Sequence, residues 1–278
     1  MSHQSIFLQH LPKHSGGARL HHAHTFQASC ATADKTSATA WLQATKTLKE
    51  PEEAAYDKFV HVMEGLLQST KVVVKLQEVS RLSEREAQVA EQFRKNPQNN
   101  VAIPICEFKC RHDILQWQKP IRIRTPFCNG SETLMSVFVM EYIPHHLTEI
   151  SAPSTDILRA ILKQLGYTLL ELHYEQGLTH GDIGSGNMLL DIDTPKTNTY
   201  RIAGQTRTVD THGYEPILID FQRSVKYKAK ADAAFAASEI SLAHDILSRW
   251  WKSPLDTIQG KLLEAETVAD LIAIIDEI

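Results

Sequence analysis

The segment of this 278-residue chain richest in chemistry is Thr179-His180-Gly181-Asp182-Ile183-Gly184-Ser185-Gly186-Asn187, with an asparagine five positions after an aspartate. A carboxylate such as Asp182 can orient a hydroxyl and accept its proton. Asn187 offers an amide carbonyl, a neutral oxygen ligand that suits a hard divalent cation. Further along, the apolar run Ile217-Leu218-Ile219 ends in Asp220 and is followed by Phe221-Gln222. A carboxylate at the end of a buried strand is placed to hold a cation that bridges phosphate groups. Together these residues fit transfer of a phosphoryl group to a hydroxyl, which needs both a proton acceptor and oxygen ligands for Mg²⁺. Taken singly, Asp182 reads as a capping residue in a polar loop and Asp220 as an ordinary strand-end aspartate. Their succession favours the chemical reading.

The elements that must position these groups are legible from hydrophobic spacing. Ile157, Leu158, Ile161, Leu165, Leu169 and Leu172 form one apolar stripe, entered through Ser154-Thr155-Asp156 and closed near Gly177, which predicts a helix leading into the His180 loop. Met188 to Leu190 and Pro216 to Asp220 read as strands. Between them, Asp191 to Glu215 is a polar insert expected to form a hairpin turning at Gly204-Gln205. In the first half, Lys71 to Leu76 is a short β-branched strand, and Ser83 to Arg94 a helix ended by Asn96-Pro97. Val101 to Phe108, Ile121 to Thr125 and Leu134 to Tyr142 read as strands, with a turn at Asn129-Gly130. Ala55, Phe59, Val62, Met63, Leu66 and Leu67 recur at helical spacing, so Glu52 to Gln68 is expected to be a helix started by Pro51. Residues 1–50 are expected to be loosely ordered, with strands at Ser5 to Leu8 and Arg19 to Phe26 around Ser15-Gly16-Gly17. Ser238 to Trp251 and Thr267 to Ile278 are late helices, the second with a capping-box-like Thr267 and Asp270. Strands first and helices later predict an α+β chain with two lobes.

With these motifs in order, the chain resembles the protein-kinase superfamily over roughly residues 71–250. The resemblance implies a two-lobed protein-kinase-like fold, with an antiparallel-sheet N-lobe carrying one regulatory helix and a compact, mainly helical C-lobe. On that basis residues 51–143 form the N-lobe and 144–278 the C-lobe, with 191–215 a hairpin insert and 1–50 a possible source of further N-lobe strands. It implies that Lys75 holds the nucleotide phosphates and that a helix glutamate, Glu86 or alternatively Glu84, pins it. It also implies that Asp182 is the catalytic base and that Asn187 and Asp220 bind ATP-linked Mg²⁺. Backbone groups of Glu141 and Ile143 would hold the adenine edge, with Met140 as gatekeeper. His180-Gly181-Asp182 has Gly where most protein kinases have Arg, as in RIO-type kinases and aminoglycoside phosphotransferases. The hairpin, the Gln222 in place of Gly and the lack of Ala-Pro-Glu resemble the haspin group of atypical kinases. No Gly-x-Gly-x-x-Gly precedes Lys75, so either Gly16-Gly17 covers the phosphates or that loop is degenerate.

The resemblance implies a serine/threonine protein kinase using ATP and Mg²⁺ on a protein substrate. A small-molecule phosphotransferase is the alternative, suggested by Gly181 and the absence of Lys two positions after Asp182. A nucleotide-binding pseudokinase is a third reading. Arg223, Lys226, Lys228 and Lys230 form a basic run that is either a solvated face or a site for an acidic or phosphorylated activator. A net charge of −4 and a pI near 6.4 argue against general nucleic-acid binding. No apolar run approaches a membrane span, and the N-terminus lacks the pattern of a signal peptide. An intracellular protein is therefore expected, or one delivered into a host cell. Four cysteines without metal-ligand spacing read as structural thiols, and His21, His22 and His24 as ordinary loop or strand residues.

Overall fold

The computed structural model describes residues 42–52, 60–67, 70–102, 104–112, 125–126, 133–147, 153–192, 197–226, 233–251 and 256–278. The expected features at Ser5 to Leu8, Arg19 to Phe26, Gly16-Gly17, Ile121 to Arg124 and Asn129-Gly130 lie outside these residues. The chain divides into two units, residues 1–97 with 103–142, and residues 98–102 with 143–278.

The first unit is built on an antiparallel sheet. Its strands are β1 (Leu42–Glu52), β2 (Val60–Leu67), β3 (Thr70–Glu78), β4 (Pro104–His112), β5 (Thr125–Pro126) and β6 (Thr133–Glu141), in the order β4-β6-β3-β2-β1-β5. β3 lies inside the sheet, with Lys75 opposite Val62 on one side and Phe138 on the other. Side chains alternate across a strand. Val72, Val74 and Leu76 therefore share one buried face, while Lys75 and Gln77 share the other. Helix α1 (Arg81–Lys95) starts at a capping box, in which Ser80 and Ser83 satisfy each other's backbone N–H groups. It buries Ser83, Glu86, Val89, Ala90 and Phe93, the stripe that 3.6-residue spacing predicts, and ends before Pro97.

Of the helix expected over Glu52 to Gln68, the described residues are strand, and residues 53–59 and 68 lie outside them. Val60–Leu67 is instead β2, paired with β1 and β3 on its two sides. Burial alternates along it, with Met63 and Gly65 inside and Val62 and Glu64 half-buried. Ladder bonds to two neighbours outweigh a weak helical periodicity in a segment carrying Val60, Val62 and Gly65, all poor helix formers. Pro51 falls in β1 where the β1–β2 register is irregular, a place where a strand tolerates a missing N–H. On β4, Cys106 is a buried free thiol. Cys110 is disulfide-bonded, which corrects the expectation of unpaired thiols throughout.

In the second unit, β7 (His145–His146), β8 (Met188–Ile192) and β11 (Tyr214–Leu218) form a small sheet in the order β11-β8-β7. Helix α2 (Thr155–Glu171) is capped by Ser154 and continues as a wider turn over Leu172–Gln176. It ends at Gly177, whose φ of +63° is the left-handed conformation that glycine adopts without strain. The hairpin β9 (Thr197–Ile202) and β10 (Gln205–Asp210) turns at Ala203-Gly204, both with positive φ, one position earlier than expected. Helices α3 (Ala233–Trp251), α4 (Asp256–Glu264) and α5 (Val268–Glu277) complete the unit. The capping box of α5 is the Thr267–Asp270 pair expected from sequence, whereas α4 was not foreseen. The fold class is therefore the expected α+β one. Among the described residues, an antiparallel sheet with one helix forms one unit, and a mainly helical unit carries the hairpin insert.

Candidate active site

Within the first unit, Lys75 Nζ lies 2.9 Å from each carboxylate oxygen of Glu86, with both side chains almost fully buried. Gln77 Nε2 donates to Glu86 Oε2 at 2.8 Å, so the carboxylate has a second donor. The strand places Lys75 and Gln77 on one face, and helix α1 brings Glu86 to them. Glu84, the alternative partner, is exposed and pairs instead with Lys109 at 3.5 Å. A buried ion pair is tolerated only when its hydrogen bonds are satisfied, and it is a poor source of stability compared with apolar packing. Met140 and Glu141 close β6, half-buried.

Within the second unit, the loop from Thr179 to Asn187 is held from several directions. His180 is fully buried. Its Nε2 lies 2.9 Å from the Ile219 carbonyl, and its Nδ1 accepts the Asp182 N–H at 3.3 Å. Both contacts are satisfied by the neutral ring protonated at Nε2. Burial pushes the imidazole below its ordinary value, against the opposing pull of Glu239, the Ile219 carbonyl, Asp220 and Asp182, which favours that neutral form. The ring packs on Phe221 at 4.6 Å between centroids.

Glu239 on α3, which was not singled out from sequence, organises the loop from the other side. It accepts the His180 and Gly181 N–H groups at 3.1 and 2.6 Å and lies 2.8 Å from His173 Nε2. Burial alone would raise its carboxyl, but His173 and the two backbone donors outweigh it and hold the group below the usual carboxylate range. No local signal marks it in sequence, because its role depends on a helix some fifty positions away packing against the loop.

Gly181 has φ +79°, and a Cβ there would lie 2.2 Å from the Arg223 carbonyl oxygen. No other residue fits this position, which gives a steric reason for Gly between His180 and Asp182. Asn187 ends a short turn over Ser185–Asn187. Its Nδ2 donates to the Asp182 carbonyl at 2.8 Å and approaches Asp182 Oδ2 at 3.3 Å. Its carbonyl oxygen is thereby the atom left for a cation. The Ile219 N–H donates to the main-chain carbonyl of Asn187 at 3.0 Å, fixing Asp220 next to the loop in space. Asp220 has φ +66°, a strained conformation for a side-chain-bearing residue. Gln222 is not among the positive-φ residues, so nothing in its backbone demands the glycine that kinases usually carry there. Ile143 packs with Ala102 and Ile217 in a small apolar cluster beneath Leu189 and Ile219.

The structure thus joins Lys75 with Glu86 in one unit, and Asp182, Asn187 and the Asp220 strand end in the other. The donor set of Asn187 and Asp220 is all oxygen and carries one charge, which suits Mg²⁺ bound largely through phosphate oxygens and water. Among the described residues no group of three or more His, Cys, Asp or Glu is arranged to hold a metal ion by itself.

No protein-family model and no curated protein sequence matches the chain. Among solved structures, a crystal structure of a kinase domain aligns over 76% of this chain at 14% identity, with a TM-score of 0.47. This chain spans 64% of that chain's length.

Proposed function

We propose that the chain is an ATP- and Mg²⁺-dependent kinase that transfers the γ-phosphoryl group to serine or threonine hydroxyls of a protein. The observation that carries this reading is the Asp182–Asn187 arrangement. The amide nitrogen is spent on Asp182, one amide oxygen is left for a cation, and the carboxylate stands half-exposed for an acceptor hydroxyl. Asp182 orients that hydroxyl and takes its proton. Asn187 and Asp220 are the residues that would hold Mg²⁺, which neutralises charge on the phosphates when bound. Lys75, braced by Glu86, holds the α- and β-phosphates, and the backbone of Glu141 and Ile143 accepts the adenine edge. An intact Lys75–Glu86 pair and an intact metal-ligand pair favour an active enzyme over a pseudokinase. The narrower likeness to haspin-type kinases rests on the hairpin, the motif at Asp220-Phe221-Gln222 and the lack of Ala-Pro-Glu.

The test is transfer of labelled γ-phosphate by wild type and Asp182→Ala, with nucleotide binding followed in parallel. Loss of about 10²-fold or more in turnover with binding retained is expected, the range for a positioned general base. Full turnover in Asp182→Ala would remove the assigned role.

A further inference from the structure

The segment after Asp220 is locked onto the Asp182 loop more firmly than a connecting turn requires. The Thr179 N–H donates to the Val225 carbonyl and the Val225 N–H to Thr179 Oγ1, both at 3.0 Å. Ser224 donates its hydroxyl to the Thr179 carbonyl, and Leu178 bridges Lys226. On the other side of the turn, the Arg223 carbonyl occupies the space that a Gly181 side chain would need. These contacts set the backbone of Arg223 directly against the loop, and its guanidinium turns to Asp182. Arg223 Nη1 lies 3.4 Å from Asp182 Oδ1. The other carboxylate oxygen, Oδ2, faces the Asn187 amide. Each oxygen of Asp182 thus has one protein donor beside it, at 3.3 and 3.4 Å, which biases the plane of the carboxylate while leaving lone pairs for a third partner. The loop itself supplies no cation, because Gly184 stands two positions after Asp182. Arg223 was read from sequence as one of a basic run with Lys226, Lys228 and Lys230. Its guanidinium, though largely exposed, turns to the carboxylate, and Lys228 and Lys230 lie outside the described residues.

We propose that Arg223 is a positioning residue for phosphoryl transfer, a cation supplied from the segment after Asp220 that orients the Asp182 carboxylate toward the acceptor hydroxyl. This rests on the kinase reading above. A planar guanidinium with several N–H donors can keep its contact with one carboxylate oxygen while the hydroxyl binds. An exposed ion pair of this length adds little to stability, so its value lies in orientation. A carboxylate displaced by even about 1 Å can cost about 10²-fold in rate.

The experiment measures labelled γ-phosphate transfer to a generic protein acceptor by the full chain. The proteins compared are wild type, Arg223→Ala, Arg223→Lys, Lys226→Ala, Asp182→Asn and Asp182→Asn/Arg223→Ala, each with its melting temperature. Expected for Arg223→Ala is a tenfold to hundredfold fall in kcat, roughly the cost of misorientation. The KM for ATP and the melting temperature should stay within error of wild type. Arg223→Lys should recover most of kcat, Lys226→Ala should match wild type, and the double variant should be no slower than Asp182→Asn. Unchanged kcat in Arg223→Ala would overturn this proposal alone, as would additive losses in the double variant. A wild-type protein that transfers no label would overturn the parent reading and this one with it.

Discussion

Lys75 and Glu86 illustrate how far a single pair can be pushed. Both are buried, and each carboxylate oxygen meets the ammonium at 2.9 Å. Removing one partner strands a charge away from water, a loss of about 3–5 kcal/mol, whereas replacing both with apolar residues costs much less. Glu86→Ala should therefore lower stability in chemical denaturation by that amount, and Lys75→Met/Glu86→Leu should recover most of it while staying inactive. A double variant as unstable as the single one would contradict the account. Gly181 is a second single-residue test. An added Cβ would meet the Arg223 carbonyl at 2.2 Å in a backbone already at φ +79°. Gly181→Ala is expected to cost about 2 kcal/mol or more, combining the steric clash with the strain of positive φ. A melting temperature equal to wild type would show that the loop relaxes freely.

Among the elements, those with strong local signals were readable and those set by distant partners were not. Helices α1, α2 and α5 announced themselves by apolar stripes and caps such as Ser154 and the Thr267–Asp270 pair. β2 did not, because its ladder partners β1 and β3, not its own periodicity, decide its conformation. Asp182, Asn187 and Asp220 could be singled out as candidates because their neighbours in sequence share the motif, and Lys75 only because those two motifs follow it. The contacts of Glu239 and of Arg223 with the loop could not, since both arise only when separate segments pack. The hairpin carries a pH-dependent test of its docking. Glu171 at the end of α2 accepts the Arg201 N–H at 3.1 Å, and Glu175 accepts that of Ala203 at 2.8 Å. Burial raises the Glu171 carboxyl from its ordinary 4.5 to about 7, with the Arg201 N–H opposing and Glu175 adding to the rise. The folded state therefore binds this proton more tightly than the unfolded chain. The stability it contributes is complete below pH 4.5 and is lost as pH rises to about 7. Each tenfold change in proton affinity is worth about 1.4 kcal/mol, so the loss is on the order of 2 kcal/mol for this partly buried group. Glu171→Gln should flatten the profile across that window and be the more stable protein at pH 8. Parallel profiles for the two proteins would refute the assignment.

At the scale of the whole chain, the expected class was legible because strands dominate the first half and helices the second. Its division was not legible in detail, since residues 98–102 belong with the later unit although they lie within the earlier half. Asn100 shows why. Its side chain donates to the Pro216 carbonyl at 2.8 Å and to Gln164 Oε1 at 3.2 Å, and accepts from Tyr200 and Thr168. A buried polar network of this kind ties sequence-distant segments together and leaves no periodic trace. Among the described residues no helix is long and apolar enough to cross a membrane. The central claim is that this chain moves a phosphoryl group, and it is tested most directly by incubating the protein with γ-labelled ATP and Mg²⁺. Wild type and Asp220→Ala should be compared, with a generic protein acceptor and with none. The account predicts label on the acceptor or on the enzyme itself, at serine or threonine, and its loss in Asp220→Ala. Equal labelling by the two proteins, or none by wild type, would contradict it.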